Sequence, residues 1–423
     1  MRPFRLLGFA AALFALAAAF PAKANENRGL IDHVFVIVLE NEGYDVTFGP
    51  GSKAPYLSTV LPTRGVLLSQ YYGTGHFSLD NYIAMVSGQA ATPETRNDCA
   101  KYADFNVTGA TPDGQVIGSG CVYPASVKTI ADQLMARHKT WRAYMGDMGA
   151  DPARESATCG HPQINSTDLT QTAEAPSSSL PHGDSYATRH NPFMYFHSVI
   201  DRTDICNANV VNLDLLANDL KSEATTPNFA FITPSLCDDG HDAPCVDGRP
   251  GGLVSADAFL KQWVPVIVNS PAFRHGLLAI IFDESGASSI SQSGGNTVVT
   301  FKGDTCCNQQ PGPNLGSFPQ TVTLGSYNLT VQNFGGDRTG AVLLSPFLKP
   351  GTVSNTFFNH YSLLKTVEDI FGVEDHLGYA GQQGLLGFFG CASSDIALGG
   401  SDRHDVVRPE ALDNAPNGLK SCR

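Results

Sequence analysis

Short, continuous apolar runs separated by polar turns dominate this chain, at 33–39, 66–69, 228–233, 277–282 and 341–345. They are rich in β-branched residues and do not alternate, the pattern of strands buried on both faces. Segments with helical spacing lie between and around them, at about 79–88, 127–138, 209–221, 255–269 and 359–371. The alternation predicts an α/β fold, a largely parallel central sheet flanked by helices. Two stretches break the rhythm. Residues 92–190 are rich in Thr, Ser, Gly, Pro and Asp, and residues 286–340 in Gly, Ser, Asn and Gln. Both read as loop-rich insertions, the first lying over the ends of the strands. Within the second, Thr321-Val-Thr-Leu and Tyr327-Asn-Leu-Thr-Val suit a small hairpin. No repeat or heptad pattern is evident.

The first residues follow a different logic. Arg2 and Arg5 precede an apolar run from Leu6 to Phe20, and Ala22-Lys23-Ala24 supplies a small-residue cleavage site. This is the pattern of a secretory signal over 1–24, leaving 25–423 as one domain. The apolar run falls short of the about 20 residues that a membrane span needs, so no stable membrane insertion is expected. Export places the protein in a bacterial periplasm or outside the cell. That setting makes the ten cysteines candidates for disulfides. Cys99–Cys121, Cys237–Cys245 and Cys391–Cys422 are plausible local pairs, and the adjacent Cys306 and Cys307 are expected to bond to different partners. The spacings form no zinc ribbon. A formal charge of −13 with no run of Lys or Arg argues against nucleic acid as a partner. The pattern sets no oligomeric state.

Candidate chemistry begins at two acidic pairs, each directly after an apolar run: Glu40-Asn41 after 33–39, and Asp283-Glu284 after 277–282. In open α/β sheets ligands bind beyond the carboxyl ends of the strands. Oxygen donors delivered there by two strands suit a hard divalent cation, calcium, magnesium or manganese rather than zinc. Between the pairs lies Gly73-Thr-Gly75-His76-Phe-Ser78-Leu-Asp80-Asn81, a glycine-rich turn running into a helix with Leu79, Ile83 and Val86 on one face. Ser78 falls at the helix N-terminus, where unpaired N–H groups favour negative charge, although a simple capping serine also fits the local pattern. His190, His241 and His76 are candidate acid, base or phosphate-contacting groups, and His360 opens the last helix.

Several of these motifs resemble the phosphoesterase family, which includes bacterial acid phosphatases and phospholipases C within the alkaline-phosphatase-like superfamily. Glu40-Asn41 with Tyr44-Asp45 and Phe48-Gly49 resembles the family's opening motif. Arg189-His190-Asn191-Pro192-Phe193, the loop Asp238 to Asp242, Phe282 to Gly286, and His360 to Asp369 resemble later ones in the same order. The resemblance implies that Glu40, Asn41, Ser78, Asp283 and Glu284 hold a divalent metal. Ser78 would be the nucleophile, and Asn81 would hydrogen-bond a phosphate oxygen, by likeness to nucleotide pyrophosphatases. His190, His241 and His76 would meet the phosphate. The implied activity is acid phosphatase action on a small phosphorylated substrate through a phosphoserine. The alternatives are a phospholipase C-type phosphodiesterase and an exported binding protein that has lost activity. The chain departs from the family pattern at Glu42-Gly43, at Asp80 and at Ser285.

Overall fold

The computed structural model describes residues 29–389 together with Ile396 and Leu398. The signal segment and the expected Cys391–Cys422 pair lie outside the described residues. Two small ribbons aside, the strands in chain order are β1 (His33–Leu39), β2 (Val66–Tyr72), β3 (Trp141–Met145), β4 (Val210–Asn212), β5 (Phe229–Thr233), β6 (Gly276–Phe282), β7 (Ser289–Ser293), β8 (Asn296–Phe301), β9 (Gln320–Leu324), β10 (Tyr327–Val331), β11 (Ala341–Leu344) and β12 (Thr352–Asn359). The main helices are α1 (Ser78–Ser87), α2 (Ile130–Ala136), α3 (Gly252–Val268) and α4 (His360–Ile370). Eight strands form one sheet in the order β12–β2–β11–β6–β1–β5–β3–β4. All its pairings are parallel except those of β11, which runs against both β6 and β2.

Every residue of β1 is buried, because both faces of the sheet are covered. Val34, Val36 and Val38 pack in the same core as Leu79, Tyr82, Ile83 and Val86 of α1. Phe35, Ile37 and Leu39 pack on the other side with Leu260, Val264 and Ile267 of α3. Each such aliphatic or aromatic side chain contributes about 1.5–3 kcal/mol on burial. The uninterrupted apolar run of β1 follows from this two-sided burial.

The structure departs from the sequence pattern in three places. The window 209–221 is not one helix. Val210–Asn212 joins the sheet beside β3, and the Asn212 side chain accepts a bond from Asp214 N–H. That cap starts a new short turn and divides the window. The stretch 92–190 is not wholly an insertion either: besides α2, which falls within the expected helix at 127–138, it supplies the unexpected strand β3. The strand Trp141-Arg-Ala-Tyr-Met is short and interrupted by Arg142, whose guanidinium lies 2.5 Å from Asp219. The third departure concerns cysteine. Cys99–Cys121 and Cys237–Cys245 are bonded as expected, Cys159 pairs with Cys206, but Cys306 and Cys307 bond to each other.

The 286–340 stretch folds as a four-stranded sheet, β7–β8–β10–β9. It contains the expected hairpin, β9 against β10. No helix among the described residues is long and apolar enough to cross a membrane.

Candidate active site

β1 and β6 are adjacent, parallel and in register, with Leu39 opposite Phe282. Glu40 and Asp283 therefore leave the sheet side by side, although 242 positions separate Asn41 from Asp283. Asn41 N–H donates to Asp283 Oδ1 at 2.9 Å. Asn41 achieves this with φ +61°, a left-handed conformation uncommon outside glycine. On the other side of β1, the loop after β5 brings in Asp239, whose carbonyl accepts Glu40 N–H at 2.9 Å. The Cys237–Cys245 disulfide closes that loop around Asp239 and His241.

The nucleophile candidate arrives from a third direction. The turn before α1 is held from within. Asn81 Oδ1 accepts Thr74 N–H at 2.7 Å and Gly75 N–H at 3.0 Å. Its amide nitrogen donates to the carbonyls of Gly75 and Phe77. Asn81 thus shapes the loop, and its expected bond to a phosphate oxygen has no free amide atom to make it. Gly75 is required here by close approach, since a Cβ would lie 2.4 Å from Asp80 Oδ2. Phe77 takes φ +85°, a strained value for a side-chain-bearing residue, and turns the chain so that Ser78 begins α1. Ser78 Oγ then donates to Glu40 Oε2 at 2.7 Å. One turn on, the Tyr82 hydroxyl donates to Glu40 Oε1 at 2.6 Å, and its ring stacks on His190 at 5.2 Å with an interplanar angle of 4°.

His190 stands between two carboxylates. Its Nδ1 is 3.1 Å from Asp239 Oδ2 and its Nε2 is 3.4 Å from Glu40 Oε1. Burial, then the positive charge of Arg189 and the nearby His241, push its pKa well below the usual value, so the ring is neutral. Glu40, Asp239 and Asp283 show the opposite response. Burial first, then their neighbouring carboxylates, push Glu40 well up. Burial dominates the rise of Asp239, and burial with Glu284 raises Asp283 to about 8. Three buried carboxylates facing one another without a cation are electrostatically unfavourable.

Glu284 and His76 turn away from this cluster. His76 Nδ1 lies 2.5 Å from Glu284 Oε2 and its Nε2 lies 2.9 Å from Asp337 Oδ2. Phe77 N–H also donates to Glu284 Oε2. Burial pushes the His76 pKa down, but Glu284 and Asp337 outweigh it and raise it to about 9. His76 is thus an imidazolium clamped by two carboxylates, not a group facing a phosphate as expected. Glu284 spends its Oε2 on that clamp. His360 has a supporting place too, with its Nε2 donating to the Asp283 carbonyl at 2.6 Å. Burial lowers its pKa to about 4.

The donor set fits a metal ion. Glu40, His190 and Asp239 offer atoms within 4.8 Å of one another. Asp283 Oδ2 and His190 Nε2 are buried with no hydrogen-bond partner among the described residues, and a cation would satisfy both. Glu40, Asn41, Asp283 and Ser78 are brought together as expected. Asp239 and Tyr82 were not singled out from the sequence. Asp239 stood in the histidine-bearing loop, and Tyr82 lies four positions after Ser78, on the same helix face.

On the open side, Arg189 Nη2 meets His241 Nε2 at 3.1 Å, and His241 Nδ1 is 2.8 Å from Asp242 Oδ1. Arg189 is itself buried.

A sequence profile of the phosphoesterase family matches residues 51–374, most of the chain. The chain belongs to that family. Among relatives of this chain, a probable acid phosphatase of Kluyveromyces lactis is 28% identical over 251 residues, 59% of this chain and 47% of that protein. A phosphate-repressible acid phosphatase of Penicillium chrysogenum is 26% identical over 361 residues, 85% of this chain and 64% of that protein. The chain thus spans less than two thirds of the length of these relatives. Among solved structures, murine ectonucleotide pyrophosphatase/phosphodiesterase 5 superposes with a TM-score of 0.44 at 11% identity, covering 86% of this chain and 100% of its own. A Vibrio parahaemolyticus protein in the alkaline phosphatase superfamily superposes with a TM-score of 0.43 at 11% identity, covering 82% and 67%.

Proposed function

We propose that this phosphoesterase hydrolyses phosphomonoesters through a phosphoserine formed on Ser78, with a divalent cation held by Glu40, Asp239, Asp283, His190 and the Asn41 side chain. The observation that carries the reading is the Ser78 hydroxyl bonded to Glu40 at the edge of a buried three-carboxylate cluster. A divalent ion bound there would supply positive charge to the phosphoryl oxygens and acidify a nearby hydroxyl. One imidazole among carboxylates suits manganese or magnesium better than a cysteine-seeking metal.

The chain's own groups divide the remaining work. Glu40 Oε2 orients the Ser78 hydroxyl and takes its proton as Oγ attacks phosphorus. The α1 N-terminus lends partial positive charge to the entering oxygen. The ester P–O bond breaks, and the leaving alcohol takes its proton from solvent water at the open side, because His241 Nε2 already accepts a bond from Arg189. Water then hydrolyses the phosphoserine, losing one proton to solvent, while Glu40 returns to the Ser78 oxygen the proton it took in the first step. His190, neutral and buried, holds the cation. Acid phosphatase is the named activity of the relatives above, and the reading extends it to this chain, with export suggested by its disulfides.

The test is hydrolysis of 4-nitrophenyl phosphate by the chelated protein, then with magnesium, manganese, calcium or zinc restored. Activity is expected to return with one or more of these ions. Ser78→Ala should lower it by about 10³-fold or more. Cation-dependent turnover near the wild-type rate in Ser78→Ala would remove the nucleophile assignment.

A further inference from the structure

A circuit of contacts starts and ends at Ser78. Its hydroxyl donates to Glu40. Glu40 Oε1 is 3.4 Å from His190, and His190 is 3.1 Å from Asp239. Asp239 Oδ1 accepts His241 N–H at 2.8 Å. His241 meets Arg189 at 3.1 Å, and Arg189 Nε lies 3.9 Å from Asp98 Oδ2. Asp98 Oδ1 accepts the N–H of Leu79 at 3.0 Å, one residue from the start. The circuit is polarised. Glu40 and Asp239 form the acidic stretch of the circuit, and His241 and Arg189 follow Asp239 as its basic stretch. The first stretch suits a cation and the second an anion, and the circuit closes on Ser78 from one end and on its neighbour Leu79 from the other.

Arg189 is built for that second role. Its side chain is only 3% exposed, and its Nη1 donates to the Gln171 carbonyl at 3.0 Å, which fixes the plane of the guanidinium. The Cys99–Cys121 bond tethers the chain next to Asp98. A guanidinium has five N–H donors. One goes to Gln171 and one to His241, while Asp98 stands beyond hydrogen-bond distance. Donors therefore remain for an incoming oxyanion, in the fork geometry that matches phosphate.

We propose that Arg189, oriented by Gln171 and Asp98, binds the non-bridging oxygens of the transferred phosphoryl group and makes this site selective for dianionic phosphomonoesters over monoanionic diesters. The inference rests on the Ser78-centred reading above and goes further, naming the residue that sets substrate class. A monoester carries close to two charges at neutral pH. The second charge needs a counter-charge that a diester does not, and Arg189 supplies it from the basic stretch of the circuit.

The experiment compares wild type, Arg189→Gln and Arg189→Lys as manganese-loaded full-length proteins. Turnover is measured on 4-nitrophenyl phosphate and bis(4-nitrophenyl) phosphate. Thermal protection by inorganic phosphate is measured in parallel. Arg189→Gln should lose about 10²–10³-fold in kcat/KM on the monoester and less than about tenfold on the diester, and phosphate should no longer raise its melting temperature. Arg189→Lys keeps the charge but loses the fork. It should fall between the two on the monoester and keep part of the phosphate protection. Equal losses on both substrates, or undiminished phosphate protection, would overturn the assignment. If Arg189→Gln does not fold, the same two comparisons in Arg189→Lys decide. A wild type that hydrolyses neither ester but shows Arg189-dependent phosphate protection would sink the hydrolase reading and the selectivity with it, and keep Arg189 as the phosphate-binding group.

Discussion

Ser78, Tyr82 and Glu40 show how one carboxylate can be shared before any ligand arrives. Ser78 and Tyr82 lie one helical turn apart, and each donates to a different oxygen of Glu40. Tyr82 also lies flat against His190, so a single phenol orients two of the proposed cation-holding groups. Outer partners of this kind commonly change metal affinity 10–100-fold. Tyr82→Phe keeps the ring stack and removes the hydroxyl. It is expected to weaken manganese binding by about that factor, read by calorimetry, with little change in the melting temperature of the chelated protein. An unchanged affinity would show that Tyr82 only fills space. The strained backbones of Asn41 and Phe77 belong to the same scale, because each aims a site residue that relaxed geometry would misplace. The spacing of Tyr82 from Ser78 was readable in the chain, but its bond to Glu40 was not. Nor could any local pattern reveal that Asn81 and His76 would be consumed by loop and carboxylate partners, since those partners are set by folding.

At the level of elements, α1 decides the site because its N-terminus carries Ser78 and its apolar face is wholly buried. Its end is set by Gly88, which takes φ +67° and donates its N–H to Ala84 O. A Cβ at Gly88 would fall 2.1 Å from the Leu377 carbonyl. Gly88→Ala therefore meets both a left-handed backbone and a clash, and should cost about 2 kcal/mol or more, read by denaturant unfolding. A loss below about 0.5 kcal/mol would mean that the 377–378 segment yields easily. α1, α3, α4 and the strands β1, β5 and β6 were legible because their apolar runs are long and uninterrupted. β3 and β4 were not, since Arg142 breaks one and the other spans only Val210–Asn212. Their identity comes from partners in the sheet, which local periodicity does not encode.

For the whole molecule, the concentration of buried acid makes stability depend on pH and on cation. Glu40, Asp239 and Asp283 all have folded-state pKa values raised above their unfolded ones, chiefly by burial. A raised value means the folded form holds protons that the unfolded form releases. The stability this contributes is complete below the ordinary carboxylate range of about 4 and is lost as pH rises through the folded values, about 8 for Asp283. The chelated protein should therefore melt at a lower temperature at pH 8 than at pH 5.5. A bound cation at 100 times its dissociation constant should restore about 2.7 kcal/mol, with most effect at the higher pH. Scanning calorimetry of chelated and manganese-loaded protein at both pH values checks this, and a cation effect independent of pH would contradict it. The sequence by itself determined the fold class, the buried strands and the residue types of the site, because hydrophobic burial is written in local patterns. Only the tertiary structure decided which carboxylates converge, that Asp239 meets Glu40 while Glu284 pairs with His76, and that Cys306 binds Cys307. Those outcomes depend on which strands lie side by side, and that is settled by packing across the whole chain.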